Sequence, residues 1–182
     1  MTVAATIGHF DGVHLGHRHV IDCLRKAAAE RGIGELMVVT FDRHPRTLFD
    51  PSFVPQMLTT LEERFTLLRE CGIDRCEVLQ FDREMAAMTA YDFMKTILRD
   101  KLGVRLLVLG YDNRFGRRLP GEGLSDYVCY GEELGIEVIG CDEYLTPDGH
   151  HVSSSIIRQL LADGDKELAH KLRGSTRTPR KA

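Results

Sequence analysis

The chain has 182 residues, with 24 Lys and Arg against 27 Asp and Glu, for a formal net charge of −3 at pH 7. That length suffices for one α/β domain with a sizeable core, and charge this mixed lacks the basic face of a duplex-binding protein, which argues against nucleic acid as a partner. The longest apolar runs, of about six residues, fall far short of a membrane span, and no signal-peptide pattern precedes the first of them.

Five apolar runs read as strands: Val3–Ile7, Leu36–Phe41, Cys76–Gln80, Leu106–Leu109 and Glu137–Gly140. Helical periodicity fills the intervals. Val20, Ile21, Leu24, Ala27 and Ala28 share one helical face, and Gly32 ends that helix. Thr60-Leu61-Glu62-Glu63 reads as a capping box for a helix ending near Gly72. Thr89-Ala90-Tyr91-Asp92 opens another that ends near Gly103, and a fourth runs from about Asp126 to Leu134. Two short helices follow, near Ser155–Ala162 and Lys166–Leu172. Strand–helix alternation at this spacing predicts an α/β fold, Rossmann-like, with a parallel five-stranded sheet and helices on both faces. In such sheets ligands bind beyond the carboxyl ends of the strands. One domain over residues 1–174 is expected. The tail, 175–182, is basic and aperiodic and reads as disordered. The five cysteines (Cys23, Cys71, Cys76, Cys129, Cys141) have no C-x-x-C spacing and read as buried, reduced thiols, which points to the cytoplasm.

The segment Ile7-Gly8-His9-Phe10-Asp11-Gly12-Val13-His14-Leu15-Gly16-His17 joins the first strand to the first helix. A helix N-terminus presents free N–H groups and the positive end of the dipole. Gly8, Gly12 and Gly16 remove bulk where a ligand could approach the backbone, and His14 and His17 add ring donors whose charge can respond to a phosphate. A phosphorylated nucleotide is the implied ligand. The G-x-G-x-x-G fingerprint and the Walker A loop are both absent. The competing reading is a zinc site from His14 and His17 with His9 nearby, but no acidic or cysteine ligand is placed to complete it.

The form H-x-G-H after a strand resembles the nucleotidylyltransferase superfamily. The longer string G-x-F-D-G-V-H-x-G-H resembles the FMN adenylyltransferase (FAD synthetase) module of bacterial bifunctional riboflavin kinase/FAD synthetases. Three further strings resemble the same family. Thr40-Phe41-Asp42-Arg43-His44-Pro45-Arg46 is similar to its flavin-side loop T-F-x-x-H-P-R. Gly110-Tyr111-Asp112-Asn113-Arg114-Phe115-Gly116 is similar to G-x-D-F-x-F-G, with Asn113 in place of an aromatic. Here Leu119 holds a position where the family has an arginine, with Arg117 and Arg118 just before it. Val152-Ser153-Ser154-Ser155-Ile156-Ile157-Arg158 is similar to I-S-S-T-x-I-R, although hydroxyls at a helix start also serve as plain caps. Gly164-Asp165 and Ala169 to Gly174 resemble the family's ending.

The resemblance implies conversion of FMN and ATP to FAD and pyrophosphate, with Mg2+ accompanying ATP. It implies His14, His17 and Arg158 as the catalytic groups. Gly8, Phe10, Asp11, Gly12, Ser154 and Ser155 join them on the ATP side. Phe41, His44, Pro45, Arg46, Asp112 and Phe115 fall on the flavin side. No residue suggests itself as a metal ligand. Another nucleotidylyltransferase, of pantetheine-phosphate or glycerol-phosphate type, is the alternative enzyme, and a decayed nucleotide- or flavin-binding module the alternative non-enzyme. The riboflavin kinase domain of the bifunctional proteins has no expected counterpart in this sequence.

Overall fold

The computed structural model describes residues 2–50, 52–117 and 119–174. The expected tail at 175–182 and the alternative Arg118 lie outside them. Five strands form one sheet: β1 (Val3–Ile7), β2 (Glu35–Phe41), β3 (Arg75–Leu79), β4 (Val104–Leu109) and β5 (Glu137–Gly140). Their order is β3-β2-β1-β4-β5, and every neighbouring pair is parallel.

Successive side chains of a strand point to opposite faces, and here both faces are covered. Val3, Ala5, Ile7, Met37, Val39, Leu107 and Leu109 form one core with Phe93, Met94, Leu98, Tyr127 and Leu134. Ala4, Leu36, Val38, Leu106 and Val108 form the other with Ile21, Leu24, Ala28 and Leu68. Burial on both sides is why β1 is an unbroken apolar run rather than an alternating one. The second core is roofed by α1 (Leu15–Glu30) and by α3 (Leu61–Glu70), which carries the expected capping box at Thr60 and Glu63.

Between β2 and α3 lies α2 (Arg46–Phe49), and after β3 comes α4 (Arg83–Ala87). Neither is apparent in the sequence, because one helical turn is too short to show a period. α4 is nonetheless capped, by the Asp82 carboxylate accepting from the Met85 N–H at 2.8 Å. The helix opened by Thr89 starts as α5 (Ala90–Asp92) and runs on as a π-helical stretch, Phe93–Lys101. The Leu102 N–H accordingly reaches five residues back to the Ile97 carbonyl, at 3.0 Å. α6 (Leu124–Leu134) completes the first roof. It buries Tyr127, Gly131 and Leu134, and so turns Cys129 to solvent. Among the thiols expected to be buried only Cys141 is so; Cys23, Cys71 and Cys76 are half-buried, and all five are free.

The chain closes with α7 (Ser154–Ala162) and α8 (Lys166–Arg173), packed on each other through Ile157, Ala169 and Leu172. Strand order runs outward from β1 in both directions, so the crossovers leave on opposite sides at β1 and β4. The carboxyl ends of these two strands flank the crevice that such a reversal creates.

Candidate active site

The loop from Gly8 to His14 leaves β1 in an unusual backbone path. Phe10 and Val13 adopt φ of 51° and 40°, and Gly12 a φ of 80°. A β-branched residue at positive φ is strained, of order 1–3 kcal/mol, so something must hold the loop. Asp11 does much of this. Its buried carboxylate accepts from the Leu58 N–H (2.9 Å), the Thr59 N–H (3.1 Å) and Arg158 Nη1 (2.9 Å). The Gly12 N–H donates to Thr59 Oγ1 at 3.0 Å, and Ser154 Oγ donates to the Asp11 carbonyl at 2.9 Å. A Cβ at Gly12 would come within 2.9 Å of the Leu58 side chain. The loop is therefore bolted to the segment before α3 and to the start of α7.

His14 is the N-cap of α1, and its Nδ1 accepts from the His17 N–H at 3.4 Å. That fixes the tautomer, with the proton on Nε2. The two imidazoles stack, their centroids 3.6 Å apart and their planes 18° apart. Phe10 lies against His17 at 4.9 Å, and His9 stacks on His44 at 5.3 Å. Burial lowers all four imidazoles. His14 falls to about 4, chiefly through burial, with Asp11 opposing and Arg158 assisting. His9 also falls to about 4, through burial and then through His44 and Arg64. His17 lies well below its ordinary value for want of solvent, with His14, Arg64 and His9 adding to the effect. His44 is lowered by burial, then by Arg158 and Arg46. At neutral pH the loop thus presents uncharged rings, which an approaching phosphate would favour in their protonated form.

Four buried polar atoms have no hydrogen-bond partner among the described residues: Thr6 Oγ1, His9 Nε2, His17 Nδ1 and Arg64 Nε. Buried polar groups are ordinarily satisfied, and leaving one bare costs about 1–3 kcal/mol. The first three belong to residues on the wall of one cavity of about 840 Å3. Arg64 was not singled out in the sequence. It is 3 % exposed, with Nη1 3.5 Å from Thr40 Oγ1. The available signal was its register, one helical turn before buried Leu68 on the inner face of α3.

The cavity opens beyond the carboxyl ends of β1 and β4. Of the expected residues, Gly8, Phe10, His14, His17 and Ser154 line it, as do Phe41, Pro45, Asp112 and Phe115. Asp11, Gly12, His44, Arg46, Ser155 and Arg158 stand outside its wall. Arg158 turns its Nη1 to Asp11 and its Nη2 to Ser155 Oγ (3.3 Å). The three serines differ in role: Ser153 Oγ caps α7 by accepting from the Ile156 N–H, Ser154 ties down the motif loop, and Ser155 meets Arg158. Arg46 lies 4.4 Å over the Phe53 ring and pairs with Asp50. Its own N–H donates to His44 Nδ1 at 3.1 Å.

In the loop after β4, Asn113 donates its side-chain amide to the Ile7 carbonyl, so it ties β4's exit to β1 rather than offering an apolar face. Phe115 is a core residue stacked on Tyr127 (4.7 Å) with an edge on the cavity. Gly116 has a φ of 75°, and a Cβ there would lie 2.5 Å from the Ala90 nitrogen. The wall also holds residues the sequence did not single out. Phe81, edge-on to Phe41 at 5.5 Å, and Met85 from α4 make the β2–β3 end apolar. Tyr111, Asp142 and Tyr144 make the β4–β5 end polar.

Fold and site together define a Rossmann-like α/β protein with a helix N-terminus and paired imidazoles at the reversal point of its sheet. Residues 1–156 match the FAD synthetase family, and the chain belongs to that family. It is 37% identical over 169 residues to the bifunctional riboflavin kinase/FMN adenylyltransferase of Escherichia coli (strain K12), covering 93% of this chain and 53% of that protein. It is 31% identical over 169 residues to the protein of the same description from Bacillus subtilis (strain 168), covering 92% and 52%. The chain spans about half the length of these relatives. Among solved structures, a macrolide-efflux protein from Streptococcus pneumoniae superposes with a TM-score of 0.84 at 27% identity, covering 96% of this chain and 56% of that one. Among the described residues of the present chain, no helix is long and apolar enough to cross a membrane. A pantoate-beta-alanine ligase from Francisella tularensis shares the fold, with a TM-score of 0.51 at 18% identity, covering 97% and 72%.

Proposed function

We propose that this chain transfers the adenylyl group of ATP to FMN, giving FAD and pyrophosphate. The observation that carries the reading is the stacked pair His14–His17 at the N-terminus of α1, on the wall of a cavity large enough for two ligands. Family membership supplies the substrates.

A phosphate oxygen of FMN attacks the α-phosphorus in line. A new P–O bond forms, the bond from the α-phosphorus to the bridging oxygen breaks, and pyrophosphate leaves with that electron pair. The substrate is itself the nucleophile, so no covalent enzyme intermediate is required. The protein contributes position and charge stabilisation. His14 and His17 hold the β- and γ-phosphates with ring N–H donors, and the N–H groups of the first turn of α1 assist them. As negative charge grows on the leaving group, the neutral rings gain most by protonation or by tighter donation. Arg158 and Ser155 reinforce the phosphates from α7. Arg158 does so from its ion pair with Asp11, close enough for its charge to act on both His14 and His44.

The apolar end formed by Phe41, Pro45, Phe81 and Met85 suits a flat, largely apolar isoalloxazine ring. Asp112 and Phe115 close that side from β4, with His44 and Arg46 behind it. Mg2+ accompanying ATP would supply neutralisation of phosphate charge. Asp112 and Asp142 are the exposed carboxylates on the cavity wall that could meet it; Glu143 is already engaged by His151.

The acceptor decides between this reading and another nucleotidylyltransferase. Pyrophosphate release from ATP and Mg2+ is expected with FMN and not with phosphopantetheine or glycerol phosphate. Release with either of the latter at a comparable rate would replace FMN as the acceptor.

A further inference from the structure

We propose that His19, Cys23 and Cys141 form a binding site for a soft or borderline divalent cation, with Zn2+ the ion that fits best. The three donor atoms all lie within 4.8 Å of one another, and they are the one trio of metal-competent side chains so placed among the described residues. His9, His14 and His17, the zinc reading that the sequence left open, form no such group.

The trio arises from two elements. His19 and Cys23 are four residues apart on α1 and so share one face of the helix. His19 Nε2 and Cys23 Sγ stand 3.9 Å apart. Cys141 directly follows β5 and is buried in the same apolar cluster against which Cys23 packs. Tetrahedral Zn2+ with bonds of about 2.0–2.3 Å holds its ligand atoms roughly 3.5–3.8 Å apart, so the site closes with side-chain adjustments of an ångström or less. Two sulfurs and one imidazole select a soft cation over Mg2+, which demands oxygen. A water or exogenous ligand would take the fourth position.

The chemistry balances as cation binding with release of the two thiol protons. Burial, and then Cys23 beside it, push the Cys141 thiol up to about 12. A bound cation removes such a proton outright. Loading would pin Cys141 to α1, and with it the cavity-wall residues Asp142 and Tyr144; Tyr144 already lies 5.6 Å from the His19 ring.

The test is Co2+ titration of the intact, reduced chain, followed by displacement with Zn2+. One Co2+ per chain is expected, with thiolate charge-transfer absorption and the intense d–d bands of tetrahedral coordination, both lost on adding Zn2+. Cys23→Ser and His19→Ala should weaken binding about a hundredfold or more, beyond the 10–100-fold range seen for outer-shell partners. Cys129→Ser should change nothing. His19 and Cys23 are only half-buried, so their variants should stay folded by circular dichroism even if Cys141→Ser does not. An octahedral spectrum without thiolate bands, or wild-type affinity in Cys23→Ser and His19→Ala, would overturn the proposal. Because the readout is spectroscopic, it is independent of FAD formation.

Discussion

At the scale of residues, the buried imidazoles of His9, His14 and His17 set both the chemistry and the acid sensitivity of the site. On the proposed mechanism, single-site loss of His14 or His17 removes a donor aimed at charge that grows only in the transition state. His14→Ala and His17→Ala should each lower single-turnover FAD formation by about 10²–10³-fold, with flavin affinity little changed. Near-normal turnover in both would remove them from the mechanism. The same burial has a cost in acid. Imidazoles that titrate near 6.5 in the unfolded chain titrate near 4 at His9 and His14 in the folded one. Between those values the unfolded state binds more protons, so stability is level above about pH 6.5 and falls as pH drops toward 4. Denaturation midpoints from pH 8 to 4.5 should show that fall, and His9→Asn should make it shallower. A variant with the wild-type slope would mean that His9 does not titrate as its surroundings dictate.

Asp11 illustrates how far residue identity alone could be read. Its place in the motif put it on the nucleotide side. The structure gives its carboxylate to Leu58, Thr59 and Arg158, partners that no local pattern reveals because they lie 47 to 147 residues away. Removing it leaves Arg158 without its counter-ion and the strained loop without its bolt. Asp11→Ala leaves the Leu58 and Thr59 N–H groups without their acceptor and should cost about 1–3 kcal/mol of stability in urea unfolding. Asp112→Ala, at an exposed position, should stay within about 0.5 kcal/mol. Equal costs would show that Asp11 is no anchor.

At the scale of elements, all five strands were legible: burial on both faces makes β1, β2 and β4 mostly apolar runs, the half-exposed edge strands β3 and β5 keep a short apolar stretch, and each observed end lies within two residues of the expected one. The capping box at Thr60 and the helix starts at Thr89 and the serines were legible because capping chemistry is local. The turns that shape the apolar end of the cavity were not. α2 and α4 are too short for periodicity, so Phe81 and Met85 came to the cavity unannounced. Arg158 was named, but its orientation toward Asp11 was not. If it serves the phosphates through a forked contact, Arg158→Lys should weaken ATP binding despite keeping the charge, since an ammonium cannot make that contact. Equal ATP affinity by titration would reduce Arg158 to a partner of Asp11.

At the scale of the whole molecule, the site sits where the strand order of a parallel sheet reverses. The groups proposed to bind phosphate come from α1 and α7, and its apolar end from the segments around β2, β3 and α4. Among the described residues, each of the four motif strings puts at least one residue on the wall of this one cavity.

The central claim is that the cavity is a transferase site and not a binding site alone. The most direct measurement is a single turnover, with the purified chain in excess over FMN and with ATP and Mg2+ present, quenched and separated by chromatography. FAD should appear with loss of FMN, one pyrophosphate for each FAD. Recovery of FMN unchanged, under conditions where calorimetry shows both FMN and ATP bound, would contradict the account.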